Sequence, residues 1–467
     1  MGLVRSAAFT RARDEQKPLL LAISAPWSSA CREMDRLCYG DVEIADEINR
    51  WFVPVRVDAD RRPDVAERYD LGGLPSTVFL TAEGGILGGG TFVPPARFRE
   101  ALTRVRQAAP ASSGVSGPLS AAVPPPRRSE RSGMSDGPTF GSGAFDEGLV
   151  EQVFATFDRR HGGFGDAPKF PMTAPLHLAL DLFRETQSEE MAEYVTLTLD
   201  AMGWGGLYDE DGGGFRRCSE RAGWTDPQQD KLLTSNAALL DLYLEAGTTL
   251  GNERWLARAA DVVEFLQGSL AVGPGEGWRA SEQSDATRYS DANALTASSM
   301  LRASTVFSDP SLRDLALESL ESTVLSTYRP GNGVAHYAGG VRGLLTDQVA
   351  MMSAHLDAWD LTGNIVYRMM AEELAHFVVR TMRDDTNGFL DRAPGDADAD
   401  IDFLAQPVRP FVLNCDAAIS LHRIAAANPD GGFDRSASAA LDSIAAEAVD
   451  QGPLAAHYLV ARRALSR

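Results

Sequence analysis

Residues 25–34 read Ala-Pro-Trp-Ser-Ser-Ala-Cys-Arg-Glu-Met, a loop of the kind that carries two thiols at the start of a helix in a Cys-X-X-Cys site. In such a site the first cysteine is a low-pKa thiolate that attacks disulfides. Here that place is Ser28, preceded by Trp27, and only the second cysteine, Cys31, remains. A serine hydroxyl neither ionises near neutral pH nor forms a mixed disulfide. The loop has the frame of a redox site without its nucleophile. Cys31, one turn into its helix, is expected to be shielded and weakly reactive.

A second set of groups suits sugar chemistry, which needs two carboxylates across a scissile bond or an acid/base pair flanking a sugar carbonyl. The candidates are Asp209, Asp230, Glu282, Asp285 and Asp347. Against 65 acidic residues in the chain, the competing reading of each is a solvated carboxylate or a loop cap. His336 follows a glycine-rich loop and reads as a cavity-facing group or a polar rim residue. His355 falls on an apolar helical face and reads as core. Lys169, in Pro-Lys-Phe-Pro, either orders its loop or meets a ligand. Phe164, Tyr208, Phe215 and Trp278 stand at glycine-rich loops, where aromatic side chains either stack on a sugar ring or plug the loop into the core. No C-x-x-C or His/Cys cluster suggests a structural metal, and no cofactor is expected.

The elements around Ser28 follow a recognisable order. Leu19-Leu20-Leu21-Ala22-Ile23 reads as a buried strand feeding the loop. A helical segment runs from Cys31 to about Arg50, and residues 52–58 form a second strand. A helix then starts at Arg62-Pro63, with proline in its first turn. Residues 73–80 are a third strand led in by Pro75, Glu83-Gly84-Gly85 turns into a fourth, and a last helix covers about 95–106. The order β-α-β-α-β-β-α with a proline before the third strand is the thioredoxin arrangement, in which that proline is cis; Pro75 is expected to be cis, the alternative being an ordinary strand-edge proline.

Residues 107–143 are rich in Ala, Pro, Ser and Gly, cannot build a core, and read as a flexible tether between domains at 1–106 and 144–467. Beyond it, glycine-rich loops end at Phe164, Phe215, Trp278, Val334 and Phe389, spaced 51, 63, 56 and 55 apart. Tight polar turns lie between them, and Asp430-Gly431-Gly432-Phe433 counts as one of these. The intervening segments have helical periodicity, as in Trp255, Ala259, Val262, Val263 and Leu266. Helix, short turn, helix, long loop at this period reads as stacked hairpins. About twelve helices make six hairpins, which close into an (α/α)6 toroid or form an open solenoid.

A formal charge of −21 argues against nucleic acid and anionic membranes as partners. No run reaches transmembrane length and the first residues lack the apolar core of a signal peptide, so a cytoplasmic protein is the expectation. The four cysteines are widely spread. Cys31 and Cys38 are roughly 10 Å apart by helical rise, too far for a disulfide.

Several strings carry a family resemblance: residues 57–65 (VDADRRPDV), 78–81 (VFLT), 89–92 (GGTF), 162–171 (GGFGDAPKFP) and 205–209 (GGLYD). On these the chain resembles the thioredoxin-domain family named for a spermatogenesis-associated member, which joins a thioredoxin-like domain to a six-hairpin glycosidase-like toroid. The departures fall where the resemblance implies chemistry. The family's Cys-x-x-Cys is reduced to Ser28 and Cys31. Family histidines are replaced by Arg216 and Gln228, a glutamate by Asp230 and an aspartate by Ser235, while Glu282 and Asp285 are kept.

Three function classes follow: a sugar-active isomerase, epimerase or hydrolase using the loop carboxylates; a binding protein that kept the toroid and lost catalysis; and a thiol-dependent redox protein acting through Cys31. The missing cysteine argues against the third. The substitutions at Arg216, Gln228 and Ser235 favour the second, with a carbohydrate-like small molecule as partner.

Overall fold

A computed structural model describes residues 6–69, 71–108, 143–394 and 408–467. These fall into two compact units, taken separately below, with the chain dividing after residue 134. Apart from its two ends, the tether expected at 107–143 lies outside the described residues.

The first unit is a four-stranded sheet of β1 (Leu19–Ser24), β2 (Val53–Asp58), β3 (Ser76–Leu80) and β4 (Ile86–Gly90), in the order β2-β1-β3-β4. β1 runs parallel to β2 and antiparallel to β3, and β3 is antiparallel to β4. All six residues of β1 are buried, as its unbroken apolar run demands of a central strand. Around the sheet lie α1 (Ser6–Glu15), α2 (Ser29–Met34), α3 (Val42–Trp51), α4 (Pro63–Tyr69) and α5 (Pro95–Ala108). The Leu74–Pro75 bond is cis, and so is Ala167–Pro168 in the second unit.

Two expectations need correction. α1 was not anticipated; among its side chains with a defined environment only Phe9 and Ala12 are buried, too few for a legible apolar stripe. The single helix expected from Cys31 to Arg50 is broken. α2 passes into one wide turn over Asp35–Tyr39, and the chain restarts at α3, where Asp41 caps the Ile44 amide. The apolar spacing continues across the break, so periodicity alone could not reveal it.

Among the described residues the second unit holds twelve α-helices: α6 (Gly143–Phe154), α7 (Ala174–Thr186), α8 (Glu189–Trp204), α9 (Leu233–Leu250), α10 (Glu253–Phe265), α11 (Ser290–Val306), α12 (Pro310–Thr327), α13 (Leu345–Thr362), α14 (Ile365–Thr381), α15 (Phe411–Ala427), α16 (Phe433–Ile444) and α17 (Ala455–Leu465). A short β5–β6 ribbon (Ala271–Gly273, Gly277–Trp278) sits in one long loop. The odd-numbered helices α7 to α17 touch in sequence, and α17 returns to α7, which closes the ring and excludes the open solenoid. α8, α10, α12, α14 and α16 each back the helix before them, and α6 backs α17. That last pairing joins the two ends of the unit, with Phe145 edge-on to Tyr458 and Arg462 on Asp146.

Ring closure leaves each inner helix one open face, toward the lumen. On α9 the accessible residues include Thr234, Ala238, Asp241, Glu245 and Thr248; on α11 they include Asp291, Leu295, Ser298, Arg302 and Thr305. Both follow a 4-3-4-3 spacing, the signature of one helical stripe. α13 repeats it with Thr346, Ala350, Ser353, Asp357 and Asp360.

Candidate functional site

In the first unit, Ser28 is the N-cap of α2 and its hydroxyl accepts the Cys31 amide at 3.3 Å. A hydroxyl serves this capping role as well as any side chain, which explains why the loop stands without its cysteine. Trp27 donates to both oxygens of Asp60 at 3.0 and 2.9 Å, and Arg32 grips the Pro26 and Trp27 carbonyls. Burial pushes the Cys31 thiol up, outweighing its hydrogen bond to Ser28, with Asp35 adding to the rise. Cys31 is therefore held as a thiol. Cys38 is buried too and points at the Val93 carbonyl.

In the toroid most of the long loops share one construction. Four of the five end on a buried residue whose two main-chain groups are held by a single amide side chain on the next inner helix; in the fifth, ending at Phe164, the Gly163 amide donates instead to the Thr198 hydroxyl at 2.9 Å. Phe215 N–H donates to Asn236 at 2.7 Å, and Asn236 donates back to the Phe215 carbonyl at 3.0 Å. Asn293 holds Trp278, Gln348 holds Val334 and Asn414 holds Phe389 in the same way.

Three loops also begin on an aspartate clamped by a cation. Asp158 meets Lys169 at 2.6 Å, Asp209 meets Lys231 at 2.8 Å and Asp384 meets Arg409 at 3.0 Å. The two lysines also cap loop carbonyls, of Gly162 and Gly213. Gly163 shows how tight the arrangement is: its φ is +75°, and a Cβ there would lie 2.5 Å from the Trp224 ring.

This construction corrects the aromatic expectations. Phe164, Tyr208, Phe215 and Trp278 are buried in the toroid core and offer no face to a sugar. They are loop plugs, fixed by the next helix or by each other; the Tyr208 and Phe215 rings meet edge to face at 5.0 Å. Lys169 is likewise buried beneath its loop, so its role there is structural.

The five candidate acids do not form one cluster. Asp209 and Glu282 flank one ammonium, Lys231, at 2.8 and 3.6 Å, and Arg216 closes on Asp209 at 3.0 Å. Burial works to raise the Asp209 carboxyl, but Lys231, the Gly212 amide and Arg216 outweigh it and hold it below the usual range. Asp230 is buried, with its main-chain carbonyl accepting the Arg217 amide. Asp285 is exposed and accepts the Thr287 amide at 2.9 Å.

Asp347 belongs to another group. It is fully buried on α13, 2.8 Å from His336 Nδ1, with Asp291 of α11 at 3.8 Å from the same nitrogen. Burial raises the Asp347 carboxyl to about 6, against the pull of His336.

The group that sequence reasoning missed lies in the lumen. His177 on α7 sits with Nδ1 2.5 Å from Glu245 on α9; its side chain keeps 24% exposure although protein surrounds it. Its other ring nitrogen has no hydrogen-bond partner among the described residues. Arg302 from α11 reaches Asp241 at 2.8 Å and Glu245 at 3.6 Å, and Arg184 adds a contact to Glu245 at 2.7 Å. Burial would lower the imidazole pKa, but Glu245 and Asp241 outweigh it and raise it, while burial pushes Asp241 up despite Arg302.

From that group the charges continue around the inner helices, Glu245, Arg302, Asp357 and Arg423 alternating in sign from α9 to α15, with Arg423 on Asp357 at 2.8 Å. The lumen thus offers paired donors and acceptors, and at His177 a carboxylate-supported imidazole able to move a proton. A divalent cation at His177, Asp241 and Glu245 is disfavoured, because two arginines already neutralise the carboxylates.

Fold and site together define a thioredoxin-like domain coupled in sequence to an (α/α)6 toroid of the six-hairpin glycosidase type. Residues 4–109 match the family described as Thioredox_DsbH, protein of unknown function, DUF255. The chain is 30% identical to Spermatogenesis-associated protein 20 of Homo sapiens over 298 residues, and 29% identical to the Mus musculus protein over 304. With these matches the chain is similar to the thioredoxin-domain proteins that bear that name, and its residues 4–109 match the DUF255 family model. In both cases 60% of this chain aligns with 38% of the relative, so it spans well under half of their length.

Among solved structures the fold is similar to D-mannose isomerase, with a TM-score of 0.58 at 12% identity over 71% of this chain and 99% of that one. It is also similar to cellobiose 2-epimerase from Spirochaeta thermophila DSM 6192, with a TM-score of 0.56 at 14% identity over 66% and 86%. The GH76A alpha-1,6-mannanase from Salegentibacter sp. HEL1_6 gives 0.51 at 12% identity over 70% and 99%. These likenesses establish the fold. No described helix is long and apolar enough to cross a membrane.

Proposed function

We propose that the toroid binds a sugar-like, polyhydroxylated small molecule in its lumen, and that the thioredoxin-like domain performs no thiol chemistry. The observation that carries this reading is the polar stripe on the inner helices. His177, Asp241, Glu245 and Arg302 converge on the enclosed face, where their donors and acceptors suit vicinal hydroxyls. The folds of the isomerase, epimerase and mannanase relatives support a sugar-like ligand by analogy alone.

Catalysis through the loop carboxylates is the weaker reading. A glycosidase acid needs a raised pKa, whereas Asp209 is held low by Lys231 and Arg216. If turnover exists, the accessible His177–Glu245 pair is the better proton-transfer centre.

A thermal-shift screen of aldoses, ketoses and sugar phosphates at saturating concentration tests the binding reading, since a ligand of the folded state raises the midpoint. At least one sugar is expected to stabilise the wild type and to lose its effect in Glu245→Gln. A screen without stabilisation overturns the reading. Conversion of the bound sugar, abolished by His177→Asn, would establish the enzyme.

A further inference from the structure

We propose a divalent-cation site at the loop end of the lumen, formed by Asp291 of α11, His336 of the loop before α13, and Asp347 of α13. One donor atom from each lies within 4.8 Å of the other two. His336 Nδ1 stands 2.8 Å from Asp347 Oδ1 and 3.8 Å from Asp291 Oδ1. Donors around a metal with bonds near 2.1 Å are separated by about 3.0–3.5 Å, so His336 and Asp347 must part slightly and Asp291 draw in. The proton shared between His336 Nδ1 and Asp347 leaves to solvent as the cation binds.

A second observation sets this group apart from a chance gathering of acids. Asp347 is fully buried; the Asp291 main-chain amide lies close to its carboxylate, yet Oδ2 has no hydrogen-bond partner of normal geometry. A buried carboxylate oxygen left this way is costly unless something positive meets it. The lumen group at His177 contains two arginines; no lysine or arginine pairs with Asp291 or Asp347 among the described residues.

The ligands are also pre-positioned. The His336 main chain is fixed by the Ser290 amide at 2.8 Å and the Val341 carbonyl at 2.7 Å, and its ring lies 4.9 Å from that of Tyr289. Thr346 donates to Asp291 Oδ2 at 3.2 Å and the Ala292 amide donates to Oδ1 at 2.7 Å, which fixes the carboxylate with Oδ1 on the side of His336. Asp291 is the first residue of the α11 lumen stripe. A cation held there would keep open positions toward the lumen. One imidazole and two carboxylates suit Mn²⁺, Fe²⁺ or Zn²⁺ rather than a soft monovalent ion.

The test uses the full chain, stripped with chelator and titrated with Mn²⁺ alone by calorimetry, because Mn²⁺ has little affinity for the cysteines. One Mn²⁺ per chain and a raised thermal midpoint are expected, with Asp291→Asn weakening binding by at least about tenfold. Asp291 is partly exposed, so this variant should fold even if His336→Gln or Asp347→Asn does not. Glu245→Gln, which removes a carboxylate from the other lumen group, should leave the titration unchanged. Loss of imidazole coupling to Mn²⁺ in the His336→Gln electron-spin-echo spectrum would identify the nitrogen ligand. Absence of binding up to about 1 mM, or binding unaffected by Asp291→Asn, overturns the proposal.

Discussion

Asn236, in the first turn of α9, holds both main-chain groups of Phe215, accepting its N–H at 2.7 Å and donating to its carbonyl at 3.0 Å. The loop thereby adds a strand-like rung to a side chain, and three further loops are held alike. Asn236→Ala would strand two buried main-chain groups at once. Each unsatisfied group costs about 1–3 kcal/mol, so a loss of roughly 2–6 kcal/mol is expected in urea unfolding of the full chain. A loss below about 0.5 kcal/mol would mean that the clamp is incidental.

Which parts of this molecule were legible in sequence follows from how local their signals are. The loop from Ala25 to Met34 and Pro75 form one motif read from adjacent residues, and the toroid announces itself through a repeat of loops. The role of Phe215 was not legible, because it depends on Asn236, which lies 21 positions on and looks like any helical asparagine. Asp209 was misleading for a related reason. A structural acid and a catalytic acid are the same residue in a glycine-rich loop. Its equivalence to Asp158 and Asp384, each five or six positions before the plugging phenylalanine, was the available signal. His177, Asp241 and Glu245 were missed because lone charges at helical spacing imitate a solvated face. Only ring closure shows that the face points inward.

The buried lysine beneath the first long loop separates a structural role from ligand binding. Lys169→Met removes the 2.6 Å contact with Asp158 and the bond to the Gly162 carbonyl, leaving a mostly buried carboxylate short of its cation. Breaking such a pair costs about 3–5 kcal/mol. Chemical denaturation should show a loss at the lower end of that range, because Asp158 keeps the Arg160 and His161 amides. Unchanged stability with weaker sugar binding would instead return Lys169 to the ligand site.

Ser28 and Cys31 already stand in contact, the serine hydroxyl meeting both the amide and the thiol of the cysteine. Ser28→Cys should place a thiolate at the N-terminus of α2, where free amides and the helix dipole favour it. Under a glutathione redox buffer the variant is expected to form a disulfide between the new cysteine and Cys31, while the wild type, with four buried free cysteines, forms none. Thiol labelling after unfolding reads the result as two protected sulfurs. A variant whose thiols all remain labelled would show that the loop has lost the geometry as well as the cysteine.

His355 gives the toroid a measurable pH dependence. It is buried on α13 beside the Tyr367 ring and donates Nδ1–H to the Met351 carbonyl at 2.7 Å, so the neutral imidazole is the form that fits. Burial lowers its pKa to about 4, with the Met351 carbonyl opposing the fall only in part. In the unfolded chain a histidine titrates near about 6.5, so between these values the unfolded state takes up a proton that the folded state refuses. Stability from this group is complete above about 6.5, declines as the pH falls toward about 4, and is level below that, for a total of about 3 kcal/mol. Urea midpoints of wild type and His355→Gln, measured from pH 7.5 to 4, should diverge in slope across this window, with the variant flatter. Parallel curves would mean that the imidazole is protonated in the folded protein and that its neighbours have moved to accept the charge.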